Sequence, residues 1–264
     1  IWANFNTDSG ALTGTPDDAH IGTATNITIT ATDAVTSSSI GPFSMTVNAV
    51  NDAPILADQT KSNLNFSSAV AFTLTASDVD SATSSYVYSV ISTPSHGSIV
   101  VTNHTTSSFE YQPASIAGIN GDSFTLQLSD GSDVSSTRTI TLAFSDTTAP
   151  SLTLTPNHNA SNVAIDTTYL ITSDDPINMT TLSYNGSAGS CIGTVQISND
   201  NFTNCVGITS AVASNLNRTI TITGATNIDS ATAYKIKVTT GVANLFALNV
   251  ASEVINTFNT VVTG

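Results

Sequence analysis

Basic side chains are nearly missing from this chain. Lys and Arg together number five against nineteen Asp and Glu, a formal charge of −14 over 264 residues. Nucleic acid and anionic membrane surfaces both need a basic patch, so neither is an expected partner. Glutamate is also scarce, with Glu110 and Glu253 the only two. Asp favours turns and loop-borne oxygen ligands whereas Glu is the better helix former, so the bias points to a loop-rich β protein. No apolar run approaches the length that spans a bilayer, so no membrane insertion is expected. The first residues carry no basic segment of export-signal type, and the chain is read as a segment of a longer secreted protein.

Cysteine is limited to Cys191 and Cys205. In an acidic, Lys-poor, extracellular-looking chain a disulfide between them is the expectation, worth about 3 kcal/mol in the chain-entropy account. Two free buried thiols are the alternative, and metal ligation would need nearby His or further Cys. The four histidines, His20, His96, His104 and His158, are scattered, and none pairs with Ser, Cys or a carboxylate as nucleophile and base. Glu110, beside Tyr111 on a predicted strand, reads as a surface residue rather than half of a catalytic pair. No catalytic residue is expected.

What the sequence does have is alternation. Hydrophobic residues make up 40% of the chain, and they fall in runs of period two such as Ile27-Thr28-Ile29-Thr30, Phe124-Thr125-Leu126-Gln127-Leu128, Thr219-Ile220-Thr221-Ile222 and Tyr234-Lys235-Ile236-Lys237-Val238. Such runs are half-buried strands with Thr outward, and their burial offsets the entropy that would leave a Ser/Thr-rich chain disordered. The expected fold class is all-β.

The chain also repeats itself. Thr28-Ile29-Thr30-Ala31-Thr32-Asp33, a Ser-rich turn, Phe43-Ser44-Met45-Thr46-Val47 and Ala53-Pro54 run parallel to Thr125-Leu126-Gln127-Leu128-Ser129-Asp130, a Ser-rich turn, Thr139-Ile140-Thr141-Leu142 and Ala149-Pro150. The repeat marks boundaries that divide the chain into 1–50, 51–148 and 149–264. The middle stretch has the length of a seven-stranded sandwich, but the first has only half of it. A half sandwich leaves an apolar face and strand edges uncovered, so sequence upstream of this chain is expected to complete it, with strands from another chain as the alternative.

Several motifs resemble known families. Trp2-Ala3-Asn4-Phe5-Asn6, Gly10-Ala11-Leu12-Thr13-Gly14-Thr15-Pro16 and Ile29-Thr30-Ala31-Thr32-Asp33 resemble the second half of a dystroglycan-type cadherin-like domain of bacterial surface proteins. That likeness implies a core position for Trp2, against a sugar-stacking one. Asn51-Asp52-Ala53-Pro54, Ala76-Ser77-Asp78-Val79-Asp80, Pro94-Ser95-His96-Gly97, Phe109-Glu110-Tyr111-Gln112-Pro113 and Gly121-Asp122-Ser123-Phe124 resemble the cadherin-like tandem domains of large bacterial adhesins. Thr148-Ala149-Pro150, Asn162-Val163-Ala164-Ile165-Asp166 and Thr239-Thr240-Gly241-Val242 are similar to bacterial Ig-like domains of the S-layer type. Together they imply tandem Ig-like or cadherin-like β-sandwiches, the first incomplete.

In cadherin-like folds calcium sits at the domain joint, and the resemblance carries that role onto particular positions. Asp17 and Asp18 would come from the first domain, Asn51 and Asp52 from the linker, and Asp78, Asp80 and Asp130 from the second domain. Calcium takes six to eight hard oxygens, and these carboxylates would repel one another without it. The linker is shorter than the usual cadherin form and the acidic pair after Pro16 is not the usual Leu-Asp-Arg-Glu, so the expectation is one or two ions. Taken alone, Asp78-Val79-Asp80 also reads as plain turn chemistry. At the second joint Asp146 has only Asp174 and Asp175 as acidic complement, too few to expect calcium. The expected function is a non-enzymatic segment of a secreted bacterial surface protein, an adhesin stalk or surface-layer repeat stiffened by calcium. Its partners would be neighbouring domains or subunits and cell-surface glycans or proteins. The alternatives are a self-assembling filament subunit completed by a neighbouring chain, and a carbohydrate-binding accessory module of a secreted enzyme.

Overall fold

The computed structural model describes residues 2–66 and 69–262. The chain is all-β. Its helical elements are short 3-10 turns such as Asp18–His20 and Ile116–Asn120, and no described helix is long and apolar enough to cross a membrane.

The middle of the chain builds two sheets around one core. Gly97–Asn103, Ser108–Pro113 and Val70–Thr73 form a three-stranded sheet, and Gln59–Leu64, Arg138–Phe144, Asp122–Ser129 and Val87–Ser92 form a four-stranded one, each in that spatial order. The alternation sets what faces inward. Along Asp122–Ser129 the buried positions are Asp122, Phe124, Leu126 and Leu128, and the register sets Phe124 opposite Ile140. These side chains meet Phe72, Phe109 and Tyr111 from the other sheet, where Phe72 and Phe109 stack with centroids 5.7 Å apart. Each large apolar side chain so buried contributes about 1.5–3 kcal/mol.

One buried residue in that core is charged. Asp122 accepts hydrogen bonds from the backbone N–H groups of Ser95, His96 and Ser123 and from the Tyr111 hydroxyl. Burial alone would raise this carboxyl, but the four donors outweigh it and hold it below the ordinary aspartate range. Tyr111 moves the other way, raised by burial and by the carboxylate it bonds. The Pro94-Ser95-His96-Gly97 turn is thereby stapled to Gly121-Asp122, which gives both motifs a structural reason.

A second core lies further along the chain. Leu152–Thr155, Tyr169–Ser173, Thr219–Gly224 and Ile208–Ser214 form one four-stranded sheet; Ala160–Val163, Val254–Thr260, Ala233–Val238 and Val195–Ser198 form the other. Between them Ile171, Ile197, Ile220, Ile222, Ile236 and Val238 are fully buried. Cys191 and Cys205 form a disulfide, which fastens the small ladder pairing Gly189 with Cys205 and Ser190 with Asn204.

The first fifty residues are built differently. Gly22–Thr32 pairs with Ser37–Val47, and Ala3–Phe5 pairs with Leu12–Gly14, each as an isolated two-stranded sheet. None of the described residues before Pro54 is buried. Phe5, Leu12, Ile27 and Ile29 instead line an open groove between the two hairpins. Trp2 is half-buried and tilts against His20.

The internal repeat holds at the level of backbone. The 3-10 turn Asp18–His20, capped by Asp17, precedes Gly22 at φ +137°, as Ile116–Asn120, capped by Ser115, precedes Gly121 at φ +116°. Both glycines occupy left-handed space that disfavours a side chain. Asp33 accepts the N–H groups of Val35 and Thr36, as Asp130 accepts those of Ser132 and Asp133. What 1–50 lacks relative to its counterpart is the equivalent of Gln59–Leu64, Val70–Thr73 and Val87–Ser92, which cover the open edges in the middle sandwich.

This difference predicts unequal costs of truncation. Leu126→Ala, at a fully buried site, is expected to destabilise the cooperative unfolding transition by about 2–5 kcal/mol. Ile40→Ala, at a site 73% exposed in the first hairpin, is expected to change it by less than about 0.5 kcal/mol. Urea melts of the two variants check both values, and equal losses would contradict the uncovered state of the first hairpin.

Candidate functional site

The polar cluster at the start of the middle sandwich is assembled by one small ladder. Ile55 pairs with Ser77 and Leu56 with Ala76, and that pairing folds the 77–81 loop back onto the 51–54 linker. Asp80 Oδ2 consequently accepts the backbone N–H of Asp52 at 3.0 Å. Asp78 Oδ1 accepts the N–H groups of Asp80 and Ser81 at 3.2 and 3.1 Å, a tight Asx turn.

The third part is the loop after Asp122–Ser129. Asp130 Oδ1 accepts the N–H groups of Ser132 and Asp133, which leaves its Oδ2 pointing to the linker. The Asn51 amide donates to Asp130 Oδ2 at 2.9 Å and to Asp133 Oδ2 at 2.8 Å. The structure thus brings Asn51, Asp52, Asp78, Asp80 and Asp130 together and adds Asp133, which the sequence reading did not single out. Asp133 sits three residues after Asp130 in an Asp-Gly-Ser-Asp loop. The repeat gave no signal for it, because the equivalent position of the first hairpin is Thr36.

Asp17 and Asp18 stand apart. Asp17 caps its own 3-10 turn, accepting from Ala19 N–H and pairing with His20, and Asp18 lies in that turn. Among the described residues no hydrogen bond joins either of them to the cluster.

The electrostatics of the cluster are one-sided. Asp80 is held below the ordinary range first by the Asp52 N–H. Asp130 is held low first by the Asp133 N–H and then by the Asn51 amide. Tyr86 is pushed up by burial and then by the charges of Asp78, Tyr88 and Asp130. Among the described residues, the ion pair recorded is His20 with Asp17, and none neutralises these carboxylates.

One atom lacks even a hydrogen bond. Asp78 Oδ2 is buried without a donor, a costly state for a carboxylate oxygen. The donor set of carboxylates, an amide and backbone carbonyls is that of a hard divalent cation. Among the described residues no three carboxylate, imidazole or thiol groups already stand at metal-ligand spacing. Occupation therefore requires rotation of side chains, with Asn51 turned to present Oδ1. In chemistry the residues fit calcium, and Asp78, Asp80, Asp130, Asp133, Asp52 and Asn51 are those that would hold it.

The remaining polar candidates have local partners. His104 Nδ1 accepts the Tyr88 N–H, His158 Nδ1 accepts the Thr257 N–H, and Glu110 accepts from the Gln112 amide.

Residues 51–143 match the bacterial Ig domain family. The matched segment begins at the linker asparagine and ends within Arg138–Phe144, so it contains the whole cluster. Among solved structures, the chain is similar to an endo-fucoidan hydrolase of glycoside hydrolase family 107, at 13% identity and a TM-score of 0.32, covering 100% of this chain and 38% of that one. It is similar to the protocadherin gamma B4 extracellular domain at 12% identity and a TM-score of 0.38, covering 98% of this chain and 41% of that one. The Sidekick-1 immunoglobulin domains 1–5 give 11% identity and a TM-score of 0.34, over 95% of this chain and 47% of that one. This chain therefore spans less than half the length of each of these three. No curated protein matches it.

The hydrogen bonds of the cluster predict its titration. A carboxylate with a lowered native pKa contributes stability that is present above its unfolded value and is lost as pH falls through the lowered native one. Asp80 and Asp130 should thus titrate below the ordinary aspartate range in carboxyl-detected NMR without added metal. Asn51→Ala is expected to move the Asp130 midpoint upward and leave Asp122 unchanged. An unmoved Asp130 would rule out the amide as one of its stabilising donors.

Proposed function

We propose that this chain is a non-enzymatic structural segment of a secreted bacterial cell-surface protein, in which calcium stiffens the joint at residues 51–54. The units of that segment are 1–50, 51–148 and 149–264. The observation that carries the reading is the convergence of Asp78, Asp80, Asp130 and Asp133 on the linker residues Asn51 and Asp52, with Asp78 Oδ2 buried and unbonded. The bacterial Ig match over 51–143 supports the class of protein, and the disulfide supports an extracellular setting.

The mechanism is mechanical. When bound, calcium would draw linker and loop carboxylates onto one centre and remove the freedom of the linker to pivot. This chain supplies the rest: the Ile55–Leu56 and Ala76–Ser77 ladder holds the 77–81 loop against the linker, and the Asx turn at Asp130 aims one carboxylate oxygen at Asn51. Asp17 and Asp18 belong to this reading through the repeat. Their turn corresponds to Ile116–Asn120, which precedes Asp122–Ser129 as theirs precedes Gly22–Thr32. By that correspondence they occupy the end of the first unit nearest the linker.

Calorimetric calcium titration with parallel melting curves tests the reading. Saturable binding that raises the melting temperature of the wild type, and its loss in Asp78→Ala/Asp80→Ala, is the expected result. Absence of binding at millimolar calcium would sink the stiffening mechanism and leave a metal-free spacer.

A further inference from the structure

The internal repeat shows what the first fifty residues leave open. Asp122–Ser129 is flanked on both sides, by Arg138–Phe144 and by Val87–Ser92. Its counterpart Gly22–Thr32 pairs, among the described residues, with Ser37–Val47 alone. One edge of an eleven-residue strand therefore has no neighbour. The charges and prolines that blunt exposed edges are absent from Gly22–Thr32.

The counterpart states what such an edge accepts. Val87–Ser92 runs antiparallel to Asp122–Ser129, with Tyr88 opposite Leu128, Val90 opposite Leu126 and Ser92 opposite Thr125. Thr125 holds that register twice, its N–H and its hydroxyl lying 3.1 and 2.7 Å from the Ser92 hydroxyl. By the sequence repeat Thr28, Ile29 and Ala31 stand where Thr125, Leu126 and Leu128 stand, so the register-setting threonine is kept. Tyr88 closes the middle core edge-on against Phe109, with centroids 5.1 Å apart. The hairpin of Ala3–Phe5 with Leu12–Gly14 precedes its 3-10 turn as that of Gly97–Asn103 with Ser108–Pro113 precedes Ile116–Asn120. Between the corresponding hairpins of the first unit lies instead the groove of about 380 Å³ lined by Phe5, Leu12, Ile27 and Ile29.

We propose that Gly22–Thr32 is a strand-acceptor edge: it takes an uncharged extended segment of a neighbouring polypeptide, antiparallel, with an aromatic side chain in that groove. The segment has the pattern of Tyr88-Ser89-Val90-Ile91-Ser92, an aromatic residue opposite Ala31, a β-branched one opposite Ile29 and Ser or Thr opposite Thr28. Main-chain hydrogen bonds would supply affinity, and the aromatic and hydroxyl positions the choice of partner. Charge does not oppose the approach, since neither Gly22–Thr32 nor Ser37–Val47 carries a charged residue, in a chain of net charge −14. Val87–Ser92 of the same chain is already committed to Asp122–Ser129, so the donor is another chain.

The inference rests on 1–50 as a unit of the proposed segment, and not on calcium at the linker. Its test is therefore run with a chelator present. The probe is a fluorescent peptide with the sequence of residues 85–93, titrated with the full chain and followed by anisotropy and amide exchange. Saturable binding is expected, with slowed exchange greatest along Gly22–Thr32. A scrambled peptide of the same composition, and the Ile29→Lys chain, which sets a charge against the aromatic ring, are each expected to bind about tenfold more weakly or worse. Thr28→Val, which keeps the shape and removes the hydroxyl, is expected to weaken binding about threefold or more. Val212→Lys, at an exposed site of the last unit, is expected to bind as the wild type does. Absence of saturable binding at millimolar peptide, protection greatest elsewhere, or equal binding by the scrambled peptide or by Ile29→Lys would overturn the acceptor edge. Binding seen only when the peptide is fused ahead of residue 1 would overturn donation by another chain. Each of these failures leaves the calcium titration at 51–54 untouched.

Discussion

A β-sheet whose side chains alternate between apolar and polar has one face that must be covered, and the architecture follows from how each part of this chain meets that demand. In the middle, Phe124, Leu126 and Leu128 from one sheet close on Phe72, Phe109 and Tyr111 from the other. Further along, Ile171, Ile220 and Ile222 close on Ile197, Ile236 and Val238. In 1–50 the same alternation produces Ile27, Ile29, Phe43 and Met45; Phe5 and Leu12 meet Ile27 and Ile29 only across an open groove, and the four stay half-exposed. The contrast is one of topology, since the two hairpins match their counterparts strand for strand. Covering also decides where polar chemistry goes. With both inner faces committed to packing, the acidic residues collect in the loops at the sandwich ends, and those ends are where the connections run.

Much of this was legible in the sequence because it is local. Period two along Phe124-Thr125-Leu126-Gln127-Leu128 states directly which residues face inward, and the register with Arg138–Phe144 agrees. The approach of the 77–81 loop to the linker entered through resemblance, and the Ile55–Ser77 and Leu56–Ala76 pairs that bring it about were not read from the sequence. The Cys191–Cys205 pairing followed from the composition of the chain. What stayed hidden depends on residues far apart in sequence. Asp133 was masked because its repeat equivalent is Thr36. The staple at Asp122 needs the turn at Ser95 and His96, and nothing in the neighbourhood of Asp146 announces Asn244, a loop residue 98 positions later. Asp17 and Asp18 were named through resemblance alone, and their own hydrogen bonds are those of a helix cap.

Scarcity of basic residues ties the carboxylate sites into one problem. With five Lys and Arg for nineteen acids, ion pairing cannot neutralise the clusters that the sandwich ends gather. The remaining means are few: backbone N–H donors, a proton, or a cation from solution. Asp122 uses the first, with three amides and a tyrosine hydroxyl around one buried carboxylate, and so does Asp130 through its Asx turn.

The two connections differ in which means is left to them. At the 51–54 linker Asp78 Oδ2 remains unbonded. Asp130 is buried and Asp78 half-buried there, while hydrogen-bond donors hold Asp80 and Asp130 ionised, which is the charge that the proposed calcium would meet. At 145–151 the situation reverses. Asp175 is buried, and desolvation raises its carboxyl above the ordinary aspartate range. Asn244 and Arg218 supply direct ties across the connection that the first linker lacks. Two acidic joints of one chain thus hold their carboxyls in opposite directions, Asp80 and Asp130 low and Asp175 high.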